Sequence, residues 1–437
     1  MALGLSPIFL ALPILVATYV LIMIDRFDRS IIALLGAGAM ILTGVLTQRQ
    51  AIEGIDFNTL GLLTGMMVLV AISRRSGVFE YLAIRAVHVA RASPAGLLIS
   101  LALVTAGLSA LLDNVTTVLL IAPVTISVAR RLELPPFMFL VAEVLASNFG
   151  GTATLIGDPP NILIGSAAGM SFNDFLVHLT PCVVVVMLAQ VVVVHLTHGR
   201  GLFAPADKRA EVMAIRAADA IVDQRMLWHS VWVFLLALGG FCTTRLTGLE
   251  PGTIALVAAA ALMLLENLVH PRDEQFAKIT ATYGEIDWIT IFFFVGLFIV
   301  VHGVQSTGAM EWIAQRVMQA TSGDLGLTIA AILWTSAILS ALIDNIPFVA
   351  AMIPVIHAMA PSLGGASAIL PLWVALSLGA CFGGNGTLIG ASANLTVSGI
   401  AQREGIPFGF ARYTVRALPL TLLSVVIAQV YLYLRYL

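Results

Sequence analysis

Residues 109–117 read SALLDNVTT and residues 340–348 read SALIDNIPF. Each stretch puts an aspartate and an asparagine side by side, Asp113-Asn114 and Asp344-Asn345, inside otherwise apolar sequence. A carboxylate in such surroundings can take up and release a proton or hold a cation, and an amide offers both a donor and an acceptor. Hydrocarbon offers neither group a partner, and polar side chains at membrane depth are confined to protein interiors and water-filled cavities, where they mark pathways for ions and solutes. Two further stretches carry the same kind of chemistry: GGTATLIGDPPN from Gly150 and GGNGTLIGASAN from Gly383. Glycine pairs let backbone unwind and approach a ligand closely, so Gly150, Gly151, Gly383 and Gly384 are candidate ligand-approach positions. Around them Thr116, Thr117, Asn148, Thr152, Thr154, Asn161, Asn385, Thr387 and Asn394 offer neutral donors and acceptors. Asp113, Asp344 and Asp158 are the candidate proton or ion coupling groups, and Asn114, Asn345 and Cys381 complete the candidate solute site.

Several of these residues are open to plainer roles. Asp113-Asn114 and Asp344-Asn345 are also consistent with surface turns between spanning helices. Asp158, before Pro159-Pro160, is placed to cap a broken helix. Glu143 suits a paired structural carboxylate, Cys381 a small core residue, and His302 and His357 core or interface positions. No Arg or Lys falls between Arg131 and Arg200 or between Arg316 and Arg403. The interrupted segments therefore lack the forked cationic donors expected of a site for dicarboxylate or phosphate, and they suit a cation or a neutral polyhydroxyl solute.

The elements that must position these groups follow from an internal repeat. Ser109 and Ser340 lie 231 residues apart, and the same spacing relates Asp56 to Asp287, Gly77 to Gly308, Glu80 to Glu311 and Pro123 to Pro354. Further on, Gly150 and Gly383, Thr154 and Thr387, and Asn161 and Asn394 are paired at a spacing of 233. Apolar runs of spanning length fall near 4–24, 30–47, 58–73, 174–197, 227–246, 249–268, 288–305 and 413–434, with interrupted apolar regions at 94–171 and 325–401. If each interrupted region holds a re-entrant hairpin and one broken crossing helix, the chain makes about ten crossings. The two repeats then enter the membrane from opposite sides, the architecture of secondary transporters whose site lies where the breaks meet. The fold expected is an all-α polytopic membrane protein: N-terminal spanning helices over 1–54, repeat 1 over 55–197 (hairpin tip 111–117, broken helix 133–171), a cytoplasmic loop and linking helices over 198–285, and repeat 2 over 286–437 (hairpin tip 342–348, broken helix 369–401).

Composition agrees. Of 437 residues 59% are hydrophobic and 11% charged, against roughly 25% charged in soluble domains. With the N-terminus outside, eighteen of the 22 Lys and Arg fall on the inner face, and Arg49, Arg245, Arg316 and Arg435 on the outer one, a strong positive-inside bias. Both termini are then expected outside the cell's inner (plasma) membrane. Residues 77–92 have the polar and apolar faces of a helix lying at the inner interface. The net charge of -2 gives no support to nucleic-acid binding, and the three cysteines have no metal-ligand spacing, so neither a metal nor another cofactor is expected.

The paired Leu/Ile-Asp-Asn tips together with NFGGTATLIGDPPNILIG and CFGGNGTLIGASANLTVSGIA resemble the ion transporter superfamily, in the branch of the arsenite permeases, the pigmentation P protein and one group of sodium/proton antiporters. The resemblance spans nearly the whole chain. It implies scaffold and transport parts, an elevator-like cycle and, often, a homodimer. Dicarboxylate carriers of the superfamily carry Ser-Asn-Thr at the tips, where this chain has Asp-Asn. Within the branch the expected activity is export of arsenite or antimonite driven by the proton gradient, because arsenous acid is mostly a neutral trihydroxide at pH 7. Sodium/proton antiport and anion transport are the alternatives, and whether an ATPase subunit takes part is left open. Paired intramembrane aspartates also make proteases. No Gly-x-Gly-Asp stretch surrounds either aspartate, so an enzyme is not expected.

Overall fold

The fold is a computed structural model that describes residues 6–24 and 26–437. The expected first span at 4–24 begins outside the described residues, and its described part forms the helix Ile8–Ile24. Among the described residues seven helices are long and apolar enough to cross a membrane, and five shorter apolar helices accompany them. The chain is an all-α polytopic membrane protein.

The same local devices start corresponding helices in both halves. Asp56 accepts from the backbone N–H groups of Asn58 and Thr59 and opens the helix Phe57–Arg75. Asp287 accepts from Thr290 N–H and opens Trp288–Gln305. In each case the threonine hydroxyl returns to the aspartate at 2.6 Å. Such caps satisfy backbone donors that the helix itself leaves free. Gly77 and Gly308, at φ 81° and 78°, then turn the chain into the helices Val78–Val89 and Ala309–Ala320. A left-handed residue is needed at that corner, and glycine adopts it without steric cost.

Some expected runs are divided more finely than hydropathy indicates. The run at 30–47 is helical only over Arg29–Leu42; the chain turns at Gly44 (φ 76°) and restarts as Gln48–Glu53 behind a capping box of Thr47 and Gln50. The run at 174–197 is two helices, Phe172–His178 and Thr180–Thr197, because Pro181 suits only the start of the second.

The helices pack as two bodies. In the first, here called the panel, Ile8–Ile24, Arg29–Leu42 and Phe57–Arg75 join Gln224–Cys242, Pro251–Asn267 and Trp288–Gln305. Phe57–Arg75 lies on Pro251–Asn267, and Trp288–Gln305 lies on Arg29–Leu42. Glycines set both crossings: a Cβ on Gly65 would stand 2.5 Å from the backbone of Ala255, and one on Gly296 would stand 2.5 Å from that of Ala33.

The second body holds two helical hairpins and two interrupted helices. The first hairpin is Pro94–Ser109 with Asn114–Arg131, and the second is Leu325–Leu342 with Asn345–Met359. The first interrupted helix is Phe137–Thr152 with Pro159–Ala168, and the second is Leu370–Gly383 with Ser392–Arg403. Thr180–Thr197 and Phe410–Tyr436 pack against them. Each interrupted helix touches its hairpin through a glycine. A Cβ on Gly150 would lie 2.2 Å from the Ala106 carbonyl oxygen, and one on Gly383 would lie 2.3 Å from that of Ala337.

Candidate functional site

The two hairpin tips and the two helix breaks converge. Asp113 and Asp344 are the N-caps of the second hairpin arms, and Asn114 and Asn345 are the first residues of those arms, both buried. The Asp113 carboxylate accepts from Thr116 N–H at 2.8 Å, and the Asp344 carboxylate accepts from Ile346 N–H at 3.2 Å. Thr117 turns its hydroxyl back onto the Asp113 carbonyl.

The breaks are held open by side chains that replace the lost helical hydrogen bonds. Asn161 donates to the carbonyls of Gly151, Thr152 and Thr154 at 3.3, 3.1 and 2.9 Å. Its counterpart Asn394 donates to those of Gly384 and Thr387, both at 2.8 Å. Thr154 and Thr387 donate across to the hairpin carbonyls of Ala110 and Ala341, and the Thr152 hydroxyl returns to the Asn148 carbonyl. These threonines and asparagines fasten unwound backbone. Buried carbonyls left without donors are costly.

A network of amides links the two breaks. Asn114 donates to Asn148 Oδ1 at 3.1 Å and to Asp158 Oδ1 at 3.2 Å. Asn148 donates in turn to Asn385 Oδ1 at 2.8 Å and Asn394 Oδ1 at 3.0 Å. On the other side Ser377 Oγ and Cys381 Sγ lie 2.6 and 3.7 Å from Asn161 Oδ1. Asp158 is 1% exposed and makes no side-chain cap to the helix it precedes. Its Oδ2 and the Nδ2 of Asn385 are buried with no hydrogen-bond partner among the described residues.

A cavity of about 430 Å³ opens beside this network. Asp113, Asn114, Thr116, Asp158 and Asn345 line it, whereas Asn148, Asn161, Cys381, Asn385, Asn394 and the glycine pairs are buried behind its wall, and Asp344, partly exposed, is reached from it through Arg29 and Ser392. Its other wall is panel: Leu63, Met66, Met67, Val70 and Arg74 from one helix, Arg29 from another, and Glu285, Asp287 and Thr290. Here the structure departs from the sequence expectation. The interrupted segments do lack cations, but the cavity does not, because Arg29 and Arg74 reach it from helices distant in sequence. The repeated Asp56 and Asp287 were the available signal that panel residues belong to the site; nothing in the sequence singled out Arg29.

Arg29 makes three side-chain hydrogen bonds. Its Nη1 donates to Asp344 Oδ2 at 3.0 Å and Ser392 Oγ at 3.2 Å, and its Nη2 donates to Thr290 Oγ1 at 3.0 Å. Asp28, which caps the same helix outside the apolar span, is held below the usual carboxylate range chiefly by the hydrogen bond from the Ser30 hydroxyl. The two tip aspartates thus differ: Asp344 is ion-paired, and Asp113 faces the cavity with only Thr116 N–H on its carboxylate among the described residues.

Residues 19–379 match the family described as Citrate transporter (CitMHS). An uncharacterized transporter of Mycobacterium bovis is 43% identical over 98% of both chains. The P protein of Sus scrofa is 32% identical over 98% of this chain and 59% of its own. Two solved structures are similar in fold alone. The Neisseria gonorrhoeae MtrF efflux pump covers 99% of this chain and 95% of its own at a TM-score of 0.56 and 11% identity. The Alcanivorax borkumensis YdaH transporter covers 86% of this chain and 85% of its own at 0.54 and 17%. With the match over residues 19–379 and full-length relatives, the chain belongs to the citrate transporter (CitMHS) family of the ion transporter superfamily and is a membrane transporter.

Proposed function

We propose that the protein is a secondary active transporter that exports arsenite or antimonite in exchange for protons, by elevator-like alternating access across the plasma membrane. The observation that carries this reading is the Asn114–Asn148–Asp158 cluster, extended by Asn385 and Asn394 from the opposite repeat and bordering the cavity through Asn114 and Asp158. Asp158 has one unpartnered carboxylate oxygen there and serves as the coupling group, with Asp113 beside the same cavity. A trihydroxide such as arsenous acid offers hydroxyls that match amide and carboxylate partners. Asp113, Asp158, Glu285 and Asp287 outnumber Arg29 and Arg74 on the lining, which disfavours a free polyanion. Exchange of one proton for one neutral solute moves one charge inward, worth about 2.3 kcal/mol per 100 mV, enough for roughly a fiftyfold gradient.

Anion transport is the second reading. Arg74 lines the cavity and makes no ion pair among the described residues, and the matched family is described by citrate. Sodium/proton antiport stays a third outcome. The protease alternative loses support from the ion pair between Asp344 and Arg29, since a protease needs two aspartates sharing a proton.

Uptake by energised inverted vesicles, measured in parallel for arsenite, sodium and citrate, separates these readings. Arsenite accumulation that Asp158→Asn abolishes is the expected result. Citrate or sodium accumulation without arsenite movement overturns it in favour of the corresponding alternative.

A further inference from the structure

The sequence repeats Asp113 as Asp344, yet among the described residues only Asp344 of the two is paired with an arginine. Arg29 belongs to the panel, and Asp344 and Ser392 belong to the second body. One guanidinium thus ties the tip of the second hairpin and the start of Ser392–Arg403 to Thr290 of the panel. It also lies over the Phe293 ring, 5.2 Å from its centroid. Tyr19 adds a second tie on the same tip, donating to the Pro347 carbonyl at 2.8 Å. The second hairpin tip is therefore sealed against the panel.

The first hairpin tip is not. Between Asp113, Val115, Thr116 and Leu119 on one side and the panel's Met67, Val70 and Arg74 on the other lies the open cavity. Any cycle that exposes the site alternately to the two faces must close this gap and release the opposite seal. Because the repeats are equivalent, the reverse state brings the first tip to the panel. Asp113 then takes, at the other end of the panel, the place that corresponds through the repeat to the one Asp344 has now. The panel residues at that end come from Asp56, Asn58 and the start of Pro251–Asn267, where the helix opens on proline and follows Glu250. The arginine beside them, Arg245, is already held by the Asp174 carboxylate at 2.7 Å, so this end offers an incoming aspartate no uncommitted cation among the described residues.

We propose that Arg29 is the positioning residue that sets the resting side of the transport cycle: it latches Asp344 while the cavity stands open at Arg74, and no equivalent latch holds the opposite state. The two aspartates that the repeat presents as equals then do different work, Asp344 holding the seal and Asp113 remaining free to face the solute. The latch acts on access, and it holds for any solute the cavity takes. Removal of either partner breaks a charge-assisted hydrogen bond and leaves the other charge unpaired, so it shifts the population toward the opposite state.

Access of a membrane-impermeant maleimide to Met67→Cys, in a Cys242→Ala background and in sealed vesicles of both orientations, reads this directly. In the parent, labelling comes from one side. Arg29→Gln and Asp344→Asn should each slow labelling from that side by about fivefold, and the reversed pair Arg29→Asp with Asp344→Arg should restore the parent rate. Arg29→Lys keeps the charge without the planar guanidinium that reaches Asp344, Ser392 and Thr290 together and covers the case in which loss of charge prevents folding; its rate should fall between parent and Arg29→Gln. Unchanged labelling in Arg29→Lys and in whichever uncharged variants fold, or a reversed pair no faster than the single variants, overturns the latch. Failure of arsenite transport alone leaves these rates unaltered and bears only on the solute.

Discussion

Asn148 and Cys381 occupy equivalent places in the two repeats and point at the same target, the asparagine that staples the opposite break. Asn148 Nδ2 lies 3.0 Å from Asn394 Oδ1, and Cys381 Sγ lies 3.7 Å from Asn161 Oδ1. The amide does more than the thiol can. It also donates to Asn385 and accepts from Asn114.

Asn148→Ala removes one node from four hydrogen-bonded asparagines. The partners left buried cost about 1–3 kcal/mol, and solute affinity in the vesicle assay should weaken about tenfold for a loss of 1.4 kcal/mol. Wild-type affinity in Asn148→Ala would falsify the linked-amide site.

Cys381→Ser keeps a donor of similar size facing Asn161. Transport should persist at close to the parent rate, and loss of arsenite transport with sound folding would instead make the thiol a solute ligand.

The glycine contacts with the hairpins are steric. Gly150→Ala and Gly383→Ala should each destabilise the protein by about 1–3 kcal/mol through overpacking, seen as a lower melting temperature in detergent. Gly107→Ala, where an added Cβ meets nothing within 4 Å, is the control and should melt no lower than the parent. Equal melting of all three would show that the hairpins do not seat on the breaks as described.

Glu143 is 1% exposed and has Thr125 as its hydrogen-bonding partner, with its Oε2 unpartnered among the described residues. The repeat places Leu376 and Ile356 at the equivalent positions. Thr125→Ile with Glu143→Leu should therefore fold and melt at or above the parent temperature, since apolar residues of similar volume replace buried polar groups at little or no cost. Failure of this pair to fold would assign the carboxylate a structural role that its counterpart lacks.

Orientation is testable with cysteines at exposed positions in the Cys242→Ala background. Phe27→Cys and Phe203→Cys should be protected from an impermeant thiol reagent outside intact cells, and Ser362→Cys should react. The reverse pattern would invert the assignment of faces and, with it, the direction of export.

Much of this protein was legible without coordinates, because hydrocarbon allows few solutions. Spanning runs, the Asp-Asn tips and the Gly-Gly breaks are properties of short stretches, and the 231-residue spacing ties them into two halves. Element ends were less legible: Gly44 and Pro181 divide apolar runs that hydropathy reads as continuous. The threonines and asparagines of the breaks read as an undivided set of polar groups; only their partners separate Asn161 and Asn394, which hold backbone, from Asn114 and Asp158, which border the cavity. Arg29 shows the limit most plainly. In sequence it is one of many arginines beside an apolar run, and its role arises because Asp344, 315 residues away, is carried to it by a different body of the fold. Local patterning determines which residues enter the membrane and where helices break. Which charges meet there depends on how separate bodies pack, and a repeat that makes two aspartates equal in sequence cannot specify that one of them is paired and the other free.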